Sequence, residues 1–280
     1  MSPWLAGLVL TSAVLHASWN AFLKGGSDRL RSVTVMALAA SLASAAWAAF
    51  LPAPREASWF CIGLSVALHV AYNLLLVMAY HHGDLGVTYP VARGSSPLLV
   101  AAGAAILAGE RLDAFTLVGI ALVCGGIIGL AREIRGGKPS QVIAPAVLTG
   151  VTIAAYTVVD GLGSRASGSA WAYAAWLFLA LGPAMLPVWA WRRRGPGGHV
   201  RLGAESLRSA AGGLVSLAAY AIVIWAASIS PMGPVSALRE SSVVVAAVLG
   251  WLFLGERLGP WRLAACLVMA SGAACLGLRG

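Results

Sequence analysis

Charge is what this sequence has least of. Asp, Glu, Lys and Arg together make up 10% of its 280 residues, against about 25% in ordinary soluble domains. So few charges cannot clothe a water-exposed surface of this size, which argues against a soluble globular protein. Acid is scarcer than base, 10 residues against 19, and the resulting pI near 10.0 raises the question of nucleic acid. The basic residues answer it by their placement. Lys24, Arg29 and Arg31, then Arg132, Arg135 and Lys138, then Arg192, Arg193, Arg194, Arg201 and Arg208 sit in short polar connectors between apolar stretches, a pattern of membrane orientation and not of phosphate binding. Cysteine is sparse too. Cys61, Cys124, Cys266 and Cys275 stand singly in apolar segments with no CxxC pair and no histidine at zinc-ligand spacing, so they read as packing residues and no metal is expected. The N-terminus lacks a basic stretch ahead of its first apolar run and lacks a convincing cleavage site, so that run is expected to stay in the membrane. Also missing are a GxxxxGK[ST] loop, HExxH, a clustered Asp motif and a Ser/His/Asp set with an adjacent base. Direct ATP drive and enzymatic catalysis are therefore not expected, and no catalytic residue or cofactor is assigned.

What the sequence has in quantity is apolar surface. Hydrophobic residues reach 59%, with 11 Trp, and mean hydropathy is +0.83. A helix needs about 20 apolar residues to cross about 30 Å of hydrocarbon. Polar punctuation divides the chain into ten such spans: Trp4–Lys24, Val33–Leu51, Trp59–Tyr80, Leu85–Ala108, Phe115–Ala131, Val142–Leu162, Trp171–Trp191, Ser209–Ser228, Met232–Leu254 and Trp261–Leu278. No connector is long enough for a soluble catalytic domain, so any function must reside among the helices.

The chain also repeats itself. Gly109-Glu110-Arg111-Leu112 recurs 146 positions later as Gly255-Glu256-Arg257-Leu258. The same offset carries Arg93 onto Arg239, Ser95-Ser96 onto Ser241-Ser242 and Gly126 onto Gly272. Two halves of five helices follow, over 1–134 and 142–280 with a connector at 135–141. An odd helix number per half makes the second copy enter from the opposite face, giving inverted repeats. The expected fold class is thus an all-α integral membrane protein whose ten transmembrane helices form two inverted five-helix repeats around a central cavity. Twelve Lys and Arg fall in connectors on one side, and four, namely Arg55, Arg111, Arg165 and Arg279, on the other. That bias puts both termini outside the cytoplasm.

The GERL turns, each closing a helix that opens on a Pro/Ser-rich segment and preceding a Gly-rich helix, resemble the EamA-type repeat of the drug/metabolite transporter superfamily. Tyr89-Pro90 through Leu130 is similar to the end of one repeat, and Gly233-Pro234 through Leu278 to the end of the other. The resemblance implies a central cavity open alternately to either side, a bacterial-type inner membrane, and solutes ranging over amino acids, drugs, sugar phosphates and nucleotide sugars. The partners it implies are the lipid bilayer and a small-molecule substrate. A duplicated chain already holds both halves of a cavity, so a monomer suffices and a homodimer stays open. The run Leu15-His16-Ala17-Ser18-Trp19-Asn20 is not part of the general repeat.

Arg93, Asp160, Arg239 and Glu240 are the charged residues well inside the spans. Charge at that depth is costly and marks cavities or partners. Tyr89, Arg93 and Ser96 share one helix face, and Arg239 and Ser242 repeat it. Two readings of the arginines stay open. Either they offer paired donors to a substrate carboxylate or phosphate, or they form an internal ion pair with Glu240 that holds the halves in register. His16, Trp19 and Asn20 on the first helix, His69, Tyr72 and Asn73 on the third, Tyr156 with Asp160, and Tyr220 with Trp225 complete the candidate lining. Aromatic faces with a few donors suit an amphipathic organic solute, an amino acid first among them. A membrane enzyme acting on lipid-linked substrates is the competing class.

Overall fold

A chain solvated by hydrocarbon must satisfy every peptide N–H and C=O internally, and a helix does so within one segment. All regular elements among the described residues are helical. The computed structural model describes residues 1–24, 28–82, 85–130, 139–192, 203–254 and 259–278, with side chains within 1–19, 28–78, 92–130, 146–191, 203–248 and 259–277. The elements are α1 (Pro3–Lys24), α2 (Arg29–Ala48), a 3₁₀ turn at Glu56–Ser58, α3 (Trp59–His82), α4 (Leu85–Leu107), α5 (Ala114–Leu130), α6 (Pro139–Ala166), α7 (Ala170–Arg192), α8 (Ala204–Ile229), α9 (Met232–Glu240), α10 (Ser242–Leu254) and α11 (Pro260–Leu278). Six described stretches, 29–48, 56–78, 146–166, 170–191, 204–229 and 260–277, are long and apolar enough to cross a membrane. The protein is a multi-pass membrane protein.

One expected span is corrected. Met232–Leu254 is not a single helix but breaks at Ser241 into α9 and α10. Pro231 and Pro234 stand at the start of α9, where a missing N–H costs nothing. The break falls at a serine because the ladder tightens there. Ser241 N–H bonds the Leu238 carbonyl at 3.2 Å, and the Ser241 hydroxyl donates to that same oxygen at 2.6 Å. Pro90 and Pro97, by contrast, lie within an uninterrupted α4.

The side chains are sorted inside-out. Phe50, Ile106, Leu42 and Leu207 are among the most exposed large apolar groups, whereas Arg93, Asp160, Arg239 and Glu240 are buried. That sorting is what lipid as solvent requires. α5 and α11 approach closely through small residues. A Cβ on Gly272 would stand 2.7 Å from the Gly119 carbonyl, and one on Gly126 would collide with Met269, while Gly125 and Gly129 face open space. Of Gly125, Gly126 and Gly129, only Gly126 therefore faces this contact.

One end of the bundle is tied shut. Gly109 takes a left-handed backbone (φ +66°), which turns the chain so that Glu110 N–H reaches the Ala104 carbonyl at 3.2 Å. Glu110 Oε2 then accepts the Met232 N–H at 2.9 Å, capping the positive end of α9. Glu110 Oε1 accepts from Arg165 Nη2 at 2.6 Å. Arg165 also donates to the Ala227 carbonyl at 3.0 Å and to the Ser230 carbonyl at 2.9 Å. Beside them Arg55 N–H bonds the Ser167 carbonyl at 3.0 Å. The connectors 49–58, 108–113, 167–169 and 230–231 thus share one face. The second GERL turn, 255–258, lies outside the described residues, as do Arg132, Arg135, Arg193, Arg194 and Arg201.

Candidate functional site

The helix break fixes the site's charges. Arg239 and Glu240 are the last residues of α9, about 10 Å along the helix from the sealed end at 1.5 Å per residue. Glu240 Oε1 accepts from Arg239 Nη2 at 2.8 Å and from Nε at 3.2 Å. Its Oε2 accepts from Arg93 Nη1 of α4 at 2.8 Å. All three side chains are at most 2% exposed. The internal ion pair is therefore present, and it is a triad in which one carboxylate serves two guanidiniums. One positive charge is left over.

Arg93 Nη2 also contacts His16 Nε2 of α1, while Trp19 Nε1 donates to His16 Nδ1 at 3.1 Å. A neutral imidazole has one acceptor nitrogen, so Arg93 and Trp19 compete for His16. Arg239 carries the triad to the cavity, its guanidinium carbon 5.9 Å from the Tyr220 ring centroid, within cation–π range.

The cavity is lined by His16 and Trp19 of α1, Val33, Met36, Ala37 and Ala40 of α2, His69, Tyr72, Asn73 and Leu76 of α3, Tyr156, Phe178, Leu181, Gly213, Ser216, Tyr220 and Arg239. Leu76 lies about 26 Å along α3 from the sealed end, so the cavity extends from mid-height toward the opposite end. Its walls are aromatic and edge-packed. The His69 and Tyr156 rings stand 4.2 Å apart, Tyr72 and Tyr156 5.7 Å, and Tyr156 and Tyr220 5.8 Å, the offset and T-shaped geometries such rings favour. The open volume is about 80 Å³, well below the roughly 300 Å³ of small-molecule sites.

Asp160 sits one layer behind the lining. Tyr220 donates to its Oδ2 at 2.6 Å and Tyr173 to its Oδ1 at 2.9 Å. Ser96 is buried, its hydroxyl turned back to the Arg93 carbonyl at 3.2 Å. Ser242 is buried beside the break, and its hydroxyl has no bonding partner among the described residues. Trp225 lies away from the lining, stacked on Trp171 at 5.8 Å and edge-on to Trp4 at 5.7 Å, an aromatic group of the kind that anchors helix ends at the interface. The side chains of Asn20 and Tyr89 lie outside the described residues. Tyr173, Ser65 and the α2 wall escaped sequence reasoning. α2 carries no polar signature, and Tyr173 is the third residue after the α7 boundary, where an interfacial role is the default.

The sequence model of the EamA-like transporter family matches residues 3–132 and 142–278. No curated protein matches the chain. A solved crystal structure superposes with a TM-score of 0.75 over 98% of this chain and 96% of its own length, at 18% sequence identity. That likeness establishes a shared fold.

Proposed function

Because the chain belongs to the EamA-like transporter family, we propose that it is a secondary transporter that exports small organic metabolites, amino acids first among them, by alternating access. The two halves, 1–134 and 142–280, act as inverted repeats that rock about a mid-membrane site. The face closed by Glu110 and Arg165 is the non-cytoplasmic one, in keeping with the lysine and arginine bias of the opposite connectors. The bilayer is the inner membrane of a bacterium-like cell.

The observation that carries this reading is the chemistry of the cavity. Aromatic rings surround it, and two unlike poles stand close by: Arg239 on the wall, from a triad with one positive charge in excess, and the Asp160–Tyr220 pair behind it. A zwitterion with an apolar side chain complements such a site. Its carboxylate meets a guanidinium offering planar paired donors, its ammonium faces the phenolic and anionic side, and its side chain displaces water among the rings. Membrane-spanning helices carry the site, and among the described residues no group of three His, Cys, Asp or Glu side chains could hold a metal.

Closure follows from the same groups. A solute carboxylate on Arg239 competes with Glu240 for that guanidinium, so binding loosens one arm of the triad. Arg93 keeps the other, and the two halves can then move against each other. Liposomes loaded with unlabelled amino acids and containing the purified protein should take up labelled aromatic and aliphatic amino acids by saturable counterflow. Uptake equal to that of protein-free liposomes across the panel would overturn the substrate class.

A further inference from the structure

We propose that Asp160 is the residue at which the protein binds and releases a proton as it works, an inference that rests on the transporter reading above. The two buried acids of the membrane interior are held in opposite ways. Glu240 is saturated with cations, accepting from Arg93 and Arg239 at 2.8 Å each. Asp160 is as deeply buried, at 2% exposure, yet among the described residues no Lys, Arg or His stands within ion-pair distance of it. Its ligands are hydroxyls: Tyr220 of α8 at 2.6 Å, Tyr173 of α7 at 2.9 Å, and Ser65 of α3 alongside. Phenols stabilise an anion without cancelling its charge. In hydrocarbon an uncompensated carboxylate is costly, and a proton removes that cost.

The surroundings supply a route. The other titratable groups facing Asp160 are His69 and Cys61, both of α3. α4, which also packs along α6, sets Val100 and Ala104 against Ala154 and Val158 of that helix. His69 lines the cavity and holds Ser65 Oγ at 3.1 Å, so cavity, imidazole, serine and carboxylate form one file. Tyr220 forms a second, with its ring on the cavity wall and its hydroxyl on the acid. A proton arriving from cavity water adds to Oδ2, turning that oxygen from acceptor into donor. Tyr220 must then swing its own O–H away, toward the cavity. Protonation at Asp160 is in this way felt at the solute site.

The test is infrared difference spectroscopy of the reconstituted protein across a pH titration. The carboxylic C=O stretch reports proton binding without a known substrate. Among the carboxyl intensity of the ten Asp and Glu residues, the wild type should show one reversible component that is lost in Asp160→Asn and retained in Glu240→Gln. Tyr220→Phe keeps the acid but removes one donor to the anion, so it should keep the band and move its midpoint to higher pH. Wild-type and Asp160→Asn titrations that superpose, leaving no carboxyl component in their difference although both proteins are folded, overturn the proposal. Counterflow in the same liposomes is scored separately. Failure of every amino acid to move would sink the substrate reading, while the infrared band would still decide the role of Asp160.

Discussion

Glu240→Gln should be far more damaging than Arg93→Gln, although the two side chains bond each other. The wild type buries two guanidiniums on one carboxylate. Replacing Arg93 leaves a balanced Arg239–Glu240 pair, and the new amide can still donate toward Oε2; the weakened Oε2 bond and the lost His16 contact together cost about 1–2 kcal/mol. Replacing Glu240 removes the carboxylate that both buried guanidiniums share, and taking one partner out of a buried ion pair costs roughly 3–5 kcal/mol. At about 2–4 °C per kcal/mol, Glu240→Gln should melt on the order of 10 °C below the wild type, and Arg93→Gln only a few degrees below. Heating the detergent-solubilised proteins and measuring the folded fraction by size-exclusion chromatography reads both. Equal losses for the two variants, or a wild-type melt for Glu240→Gln, would refute the triad as drawn.

Three further outcomes follow from packing. Gly213→Ala would push a Cβ into the Met36 backbone of α2, which cannot swing aside, so α2 and α8 must part at about 1–3 kcal/mol, read as a lower melting temperature with impaired transport. Gly7→Ala meets nothing within 4 Å and should be neutral or stabilising by up to about 1 kcal/mol. Arg165→Met removes an ion pair that is 30% exposed on the arginine side, worth under about 1 kcal/mol, but it also frees the Ala227 and Ser230 carbonyls. A cysteine placed at Ala227 in a cysteine-free background should then react faster with an impermeant thiol reagent, and an unchanged rate would count against the seal.

Much of the fold was legible because lipid imposes a simple rule, that long apolar runs become helices. The span expected at Trp171–Trp191 is α7 within one residue at each end, whereas the polar ends of α6 and α8 run three to five residues past their apolar runs, since a helix does not stop where hydropathy falls. The break at Ser241 was not legible. It depends on a serine hydroxyl competing for a carbonyl already in the ladder, which no hydropathy pattern encodes. The site was legible in its charges, because a charge amid apolar residues stands out, but not in its pairing. Nothing in the sequence says that Glu240 serves two arginines while Asp160 has only hydroxyls. Glu110 and Arg165 were hidden by their settings, one inside a recurring turn and one counted among connector charges. Their joint role at the start of α9 emerges only once the two halves meet.

Binding of an amino acid in the aromatic cavity against Arg239 is the step on which the transport reading depends. Equilibrium binding of labelled amino acids to the purified protein, by scintillation proximity, measures it without requiring turnover. Saturable binding of one solute per chain is expected in the wild type and in Trp225→Phe, whose ring lies outside the lining. Arg239→Gln should bind about ten-fold or more weakly, the loss of a charged hydrogen bond. Wild-type affinity in Arg239→Gln, with the protein shown to be folded, would contradict a solute carboxylate seated on that guanidinium.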